Sequence, residues 1–115
     1  YGGVAVLSQP RTWFADILAD YDRRRRAWMQ MLDSIALPYS EPQGAYYVFI
    51  DIRPTGMTSA AFVAKARDEA RLVFQPGTIG GGAGEGFIRG ALTTPSPKFE
   101  EGLERFADFI RKLPV

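Results

Sequence analysis

At 115 residues, 46% of them apolar and 13% aromatic, the chain has the makings of one domain (1–115) that buries roughly two-thirds of its unfolded surface without staples. It has no histidine and no cysteine, which excludes Ser-His-Asp and Cys-His catalysis, histidine- or thiolate-held metals, and disulfides within these residues. A net charge of +1 gives no field that gathers nucleic acid, and no run reaches the ~18 apolar residues of a membrane-spanning helix.

In chain order, Ser8-Gln9-Pro10 reads as a helix start, a hydroxyl N-cap with proline in the first turn. Apolar residues then recur at helical period from Trp13 and Phe14 through Ile17, Leu18, Tyr21, Trp28, Met29 and Leu32 to Ile35, and Pro38 and Pro42 end the run. Residues 44–52 form the strongest strand, β-branched and aromatic almost throughout, a pattern that predicts cover on both faces. After a Pro54-Thr55-Gly56 turn, Thr58 or Ser59 caps a second helix bearing Phe62, Val63, Ala66 and Ala70 and ending near Arg71. Leu72-Val73-Phe74 reads as a short strand, stopped by Gln75-Pro76-Gly77. A glycine-rich connection fills 77–86, Phe87 to Leu92 is a third strand, and Ser96-Pro97 starts a last helix with Phe99, Leu103, Phe106, Ile110 and Leu113 on one face. The order α-β-α-β-β-α predicts an α+β (α/β) fold, a small three-stranded, largely antiparallel sheet covered by helices.

Most chemistry-bearing residues reduce to structural readings. The glycine run at 80–86 has no G-x-G-x-x-G register and no Lys-Ser/Thr after it, and a strand follows where a phosphate loop needs a helix N-terminus. It reads as a turning connection. Arg23-Arg24-Arg25-Arg26 point around most of a helix, so they form a solvated face with ion pairs rather than a nucleic-acid patch. Lys65, Lys98 and Lys112 all read as solvent-facing, without the burial a Schiff-base lysine needs. Asp68-Glu69 and Glu100-Glu101 diverge around their helices and make no acid–base pair. Arg89 remains. A guanidinium in an apolar strand is costly unless an anion pairs with it, and that anion is either a structural neighbour or a ligand carboxylate. Eleven of the fourteen basic residues are arginine, which suits carboxylate or phosphate partners and equally fits a GC-rich genome.

Two stretches together resemble a known family. Pro42-Gln43-Gly44-Ala45-Tyr46-Tyr47-Val48-Phe49 is similar to the P-x-G-A/T-F/Y-Y-x-F/L segment of fold-type I pyridoxal-phosphate-dependent aminotransferases, the aspartate aminotransferase-like class I/II family. Leu72-Val73-Phe74-Gln75-Pro76-Gly77, then Gly80 and Gly84-Glu85-Gly86-Phe87-Ile88-Arg89, resemble its V-x-x-x-P-G-x-x-F-G and G-x-x-F/Y-I/V-R motifs, and Tyr21-x-x-Arg24-Arg25 with the later Leu32 its Y-x-x-R-R helix. The resemblance implies the C-terminal small domain of an enzyme that moves an amino group between an amino acid and a 2-oxo acid. It implies that Arg89 binds the substrate α-carboxylate and that Tyr46 or Tyr47 lines the substrate side. No catalytic, cofactor-binding or metal-binding residue is implied here: the Schiff-base lysine and the phosphate cradle of the pyridoxal 5'-phosphate cofactor belong to the large domain. The chain alone is then inactive, and its small domain closes over substrate with the 77–86 loop near the moving edge. The protein is expected to be cytoplasmic, which the absence of cysteine fits, with no nucleic-acid or membrane partner on the charge and hydropathy grounds above, and Tyr1-Gly2-Gly3 without a methionine fits a piece of something longer. A missing large domain would leave apolar surface exposed around Trp13, Phe14 and Trp28, which a homodimer would also hide. The other reading is a stand-alone, non-catalytic domain that binds a small carboxylate or a protein partner. Two departures from the family pattern stand out: Gly90-Ala91 follows Arg89 where the family has Ile/Leu-Ser, a glycine expected to weaken the strand and shift the guanidinium, and Ile79 replaces a phenylalanine.

Overall fold

The computed structural model describes residues 1–114. Its helices are α1 (Gly2–Leu7), α2 (Ala15–Ser34), α3 (Ser59–Ala70) and α4 (Lys98–Lys112), and its strands are β1 (Tyr39–Ser40), β2 (Tyr47–Asp51), β3 (Gln75–Pro76) and β4 (Phe87–Ala91). The sheet is antiparallel throughout, in the order β1-β2-β4-β3. It thus has four strands where the sequence predicts three. The extra one, β1, is two residues between Pro38 and Pro42, too short for any periodicity to register.

Because strand residues alternate, β2 and β4 send Val48, Ile50, Ile88 and Gly90 to one face, where all four are buried. That face meets Leu32 and Trp28 of α2, Phe62 and Ala66 of α3, and Phe99, Leu103 and Phe106 of α4 in one core. Phe106 is its hub, with edge-on ring contacts to Trp28, Phe62 and Phe74 at 5.2–6.3 Å. The opposite face carries Tyr47, Phe49, Phe87 and Arg89, each only half-buried. β2 is therefore covered on one side, not two: its aromatic residues face a shallow surface and its aliphatic ones the core.

Several boundaries differ from the sequence reading for local reasons. Ser8 ends a helix instead of starting one: its amide and its Oγ both donate to the Val4 carbonyl, at 3.0 and 2.7 Å, closing α1. The chain then turns through a 3₁₀ segment, Arg11–Phe14, before α2 begins. After α3, Arg71 takes a left-handed conformation (φ 58°), and the Leu72 amide returns to the Ala66 carbonyl at 3.2 Å. Residues 72–74 are thereby used to leave the helix and bury Phe74, so pairing starts at Gln75 and Pro76, an edge position that tolerates proline.

The arginine run is not one solvated face. Arg23 pairs with Asp20, and Arg25 and Arg26 with Asp22. Arg24 is buried, bound to Asp20 and donating its Nη1 to the Leu92 carbonyl at 2.7 Å. Trp28, one turn on, is buried too, correcting its expected place in an exposed patch, and its Nε1 donates to the Ala91 carbonyl at 3.2 Å. Together they fasten α2 to the end of β4, the strand that carries Arg89.

This contact explains Gly90. A Cβ there would stand 3.0 Å from Cζ2 of Trp28 and 3.2 Å from Cγ1 of Val48. The glycine gives the tethered indole room to lie against the sheet. Gly90→Val is expected to destabilise the fold by about 1–3 kcal/mol, measured as a lower midpoint in denaturant.

Candidate functional site

Arg89 lies mid-strand in β4, opposite Phe49 of β2 and Gln75 of β3. Its guanidinium carbon sits 4.0 Å from the centre of the Tyr47 ring, a cation–π contact worth about 0.5–2 kcal/mol depending on solvation. Gln75 Oε1 accepts a hydrogen bond from Nη2 of Arg89. No carboxylate pairs with Arg89 among the described residues, whereas Arg53, two positions beyond β2, holds Asp51 bidentately at 2.9 and 2.6 Å. The sheet face thus contains one arginine already matched to a carboxylate and one held only by neutral groups.

The structure gathers all three sequence-predicted site residues. Tyr47 stacks under Arg89, and the Tyr46 ring lies 4.5 Å from the Tyr47 ring at the strand's entrance. The Tyr47 hydroxyl holds the Tyr46 phenol above its usual pKa, with Arg89 pulling weakly the other way. Beside them Phe49 and Phe87 stack at 4.8 Å, nearly parallel. A cavity of about 300 Å³ opens against Arg89, walled by Phe49, Pro76, Ile79, Ala83 and the Gly77 and Gly84 backbones. Among the described residues Arg89 is the one charged side chain in that wall, so the cavity offers a single cation beside apolar surface. No lysine lines it.

The glycine-rich connection is a built wall. It folds into two 3₁₀ turns, Gly77–Gly80 and Gly82–Gly84, and doubles back until Gly77 and Gly84 touch through their backbones. A Cβ at Gly84 would stand 2.0 Å from the Gly77 carbonyl oxygen, and one at Gly77 2.2 Å from that of Gly84. Glu85 pins the far end, its carboxylate accepting from the Ser59 amide and the Ser59 hydroxyl, both at 2.8 Å, at the first turn of α3. Sequence reading missed Glu85, Ser59 and Gln75 as parts of this arrangement. The signal available was faint: an acid in the glycine run and a Thr-Ser helix start 26 residues earlier.

These contacts shift ionisation. The Ser59 amide and hydroxyl hold the Glu85 carboxyl below its usual range, as Arg53 does for Asp51, Arg23 for Asp20 and Arg25 for Asp22. Each group binds its proton more weakly folded than unfolded. The stabilisation is therefore complete above the unfolded carboxylate pKa and is lost as pH falls through the lower, folded one. Thermal melts are expected to hold a plateau from pH 7 to about 5 and to fall steeply below about 4. Glu85→Gln, which has no charge to lose, should show a lower plateau and a shallower acid fall.

Among the described residues, no helix is long and apolar enough to cross a membrane, and no group of three or more His, Cys, Asp or Glu is arranged to hold a metal. Comparison with known proteins gives a consistent result. The chain is 35% identical to the aspartate aminotransferase of Pyrococcus abyssi over 97% of its length, and 33% identical, also over 97%, to aromatic-amino-acid aminotransferase 2 of Thermococcus litoralis. It superposes on the crystal structure of the aromatic aminotransferase of Pyrococcus horikoshii OT3 with a TM-score of 0.85 at 39% identity, covering 94% of this chain and 30% of that one. It also superposes, with a TM-score of 0.81 at 25% identity over 90% of this chain and 27% of that one, on cystalysin from Treponema denticola, whose structure contains a pyridoxal 5'-phosphate cofactor. The chain spans 29% of the length of each of the two curated relatives. The family model for aminotransferase class I and II matches residues 3–106, nearly the whole chain. With that match and these folds, the chain belongs to the aminotransferase class I and II family.

Proposed function

We propose that residues 1–115 are the C-terminal small domain of an aminotransferase and that they supply the arginine which binds the substrate α-carboxylate. The observation that carries this is Arg89: a guanidinium stacked on Tyr47, without a carboxylate partner among the described residues, at the wall of a 300 Å³ cavity. A planar fork of donors matches a carboxylate bidentately, which an ammonium does not. Tyr47 fixes the plane of the fork, and Tyr46 extends the aromatic surface beside it.

The reaction proposed for the whole protein is amino-group transfer between an amino acid and a 2-oxo acid, with pyridoxal phosphate as the electron sink. The residues of this chain do not themselves fit that cofactor. Among the described residues the Arg89 cavity has no lysine, Lys65 is paired with Glu69 on the surface of α3, and no second cation lines the cavity to cradle a phosphate. On this reading the cofactor's lysine and phosphate site lie in the large domain, and the isolated chain is expected to be inactive. Exposed Val4, Leu7, Trp13, Ile17 and Leu18 along α1 and the start of α2 support a missing covering partner, whether that domain or a second copy.

Calorimetric titration with amino acids and 2-oxo acids, on wild type and Arg89→Ala, tests the carboxylate role: heat that depends on Arg89 supports it, and equal binding by both proteins refutes it. For inactivity, the chain mixed with pyridoxal phosphate, reduced with borohydride and weighed should show no specific one-to-one adduct. A single adduct abolished by replacing one lysine would refute that part.

A further inference from the structure

The face around Arg89 raises a question that the carboxylate reading leaves open: what keeps a free guanidinium aimed without neutralising it. We infer that Gln75 is the positioning residue for Arg89, and the inference rests on the carboxylate-site reading above. Gln75 is the direct Cα partner of Arg89 across the β3–β4 ladder, so their side chains leave the same face side by side. Its Oε1 accepts from Nη2, one of the five N–H donors of the guanidinium. On the other flank, Phe49 is the cross-strand partner and the Tyr47 ring covers one face of the guanidinium plane. The arginine is thus held on three sides by neutral groups, and its remaining donors stay available.

The chemistry of an amide suits this place better than any acid. An amide oxygen takes one N–H and leaves the full positive charge for an incoming anion. A carboxylate at the same position would occupy the fork and cancel the charge, as Asp51 does for Arg53 on the same sheet. An apolar side chain would leave the guanidinium free to turn within the plane that the Tyr47 ring sets. Gln75 also adjoins Pro76, whose ring walls the cavity, so the residue that orients the cation is tied directly to the pocket it serves.

The test is NMR of the arginine Nε–Hε signals on the chain, in wild type, Gln75→Leu, Gln75→Glu, Arg89→Ala and Arg89→Lys, with 2-phenylethanesulfonate as the probe because it stays anionic at low pH. Loss of one signal in both Arg89 variants assigns it. The expected result is a sharp Arg89 signal in wild type that broadens in Gln75→Leu. Probe affinity should fall about fivefold in Gln75→Leu at all pH values, the cost of orienting one long side chain. In Gln75→Glu it should fall about tenfold or more at pH 7 and recover as the pH is lowered through the introduced carboxyl's pKa, read only over the range where the native spectrum persists. A merely structural residue would not produce that recovery. An Arg89 signal equally sharp in Gln75→Leu, with affinity within twofold in both Gln75 variants, overturns the inference. Probe binding that is the same in wild type and Arg89→Ala overturns the carboxylate site itself, and with it the role assigned to Gln75.

Discussion

Gly84→Ala is expected to destabilise the protein by about 3 kcal/mol, the upper end of what overpacking costs, and to lower its melting temperature by about 10 °C or more. The reason is what the new methyl group meets. At 2.0 Å from the Gly77 carbonyl oxygen and 2.4 Å from its carbon, the clash is with backbone, which cannot turn aside as a flexible side chain can. Gly77 is fixed in turn, because it follows Pro76 in the β3 edge strand and its own Cβ position is blocked by Gly84 and by the Phe87 carbonyl at 3.0 Å. Gly77→Ala should therefore cost a similar amount. Gly82→Ala is the control: nothing lies within 4 Å of a Cβ there, so its stability should stay within about 0.5 kcal/mol of wild type. Thermal melts of the three variants read this directly. Equal stability in all three would mean that the connection is a loose tether and the cavity wall is not built as described. Because both glycines line the Arg89 cavity, the two damaging variants should also weaken carboxylate binding, while Gly82→Ala should not.

Arg89→Ala is expected to reduce carboxylate affinity by about 100-fold, the loss of a two-bond, charge-assisted contact. Arg89→Lys keeps the charge and forfeits the planar fork, so a loss of about tenfold is expected, intermediate between wild type and alanine. Neither substitution should cost much stability. The side chain is half-buried and makes no ion pair among the described residues, so what it loses is the stacking on Tyr47 and one hydrogen bond to Gln75. Affinity and stability are thus expected to separate at this residue, whereas at Gly84 they fall together. Calorimetric titration paired with thermal melts on the same samples distinguishes the two patterns.

What could be read in advance follows from the range of the interactions. Residues 47–51 and 87–91 announce themselves as strands by local composition, and Arg89 stands out as the cation among them. The last helix is legible for the same reason: Phe99, Leu103 and Phe106 recur at its period and are buried, Ile110 is half-buried, and Leu113, just past its end, is buried. The misreadings fall where a residue's role depends on something distant or on one hydrogen bond. Arg24 looks like a member of a solvated run, but a carbonyl 68 residues away draws it inside. Gly90 looks like a weak point of the strand until Trp28, 62 positions earlier, is seen lying against it. Ser8 has the composition of a helix start and the hydrogen bonds of a helix end. Gln75 lies just past a predicted strand, and only the register of an edge strand sets it beside Arg89. Tyr46 and Tyr47 could not be separated by alternation alone; the structure puts Tyr47 under the guanidinium and Tyr46 beside Tyr47.

Carboxylate recognition by Arg89 is isolated by a paired titration with 3-phenylpropionate and its uncharged counterpart 3-phenylpropanamide. The two ligands share shape and apolar surface and differ in the carboxylate, so their affinity ratio isolates what the guanidinium recognises. Wild type is expected to prefer the acid by about 30-fold or more, and Arg89→Ala to bind both alike. An acid preference that survives Arg89→Ala, or wild type that binds acid and amide equally, would show that the Arg89 guanidinium does not recognise the carboxylate.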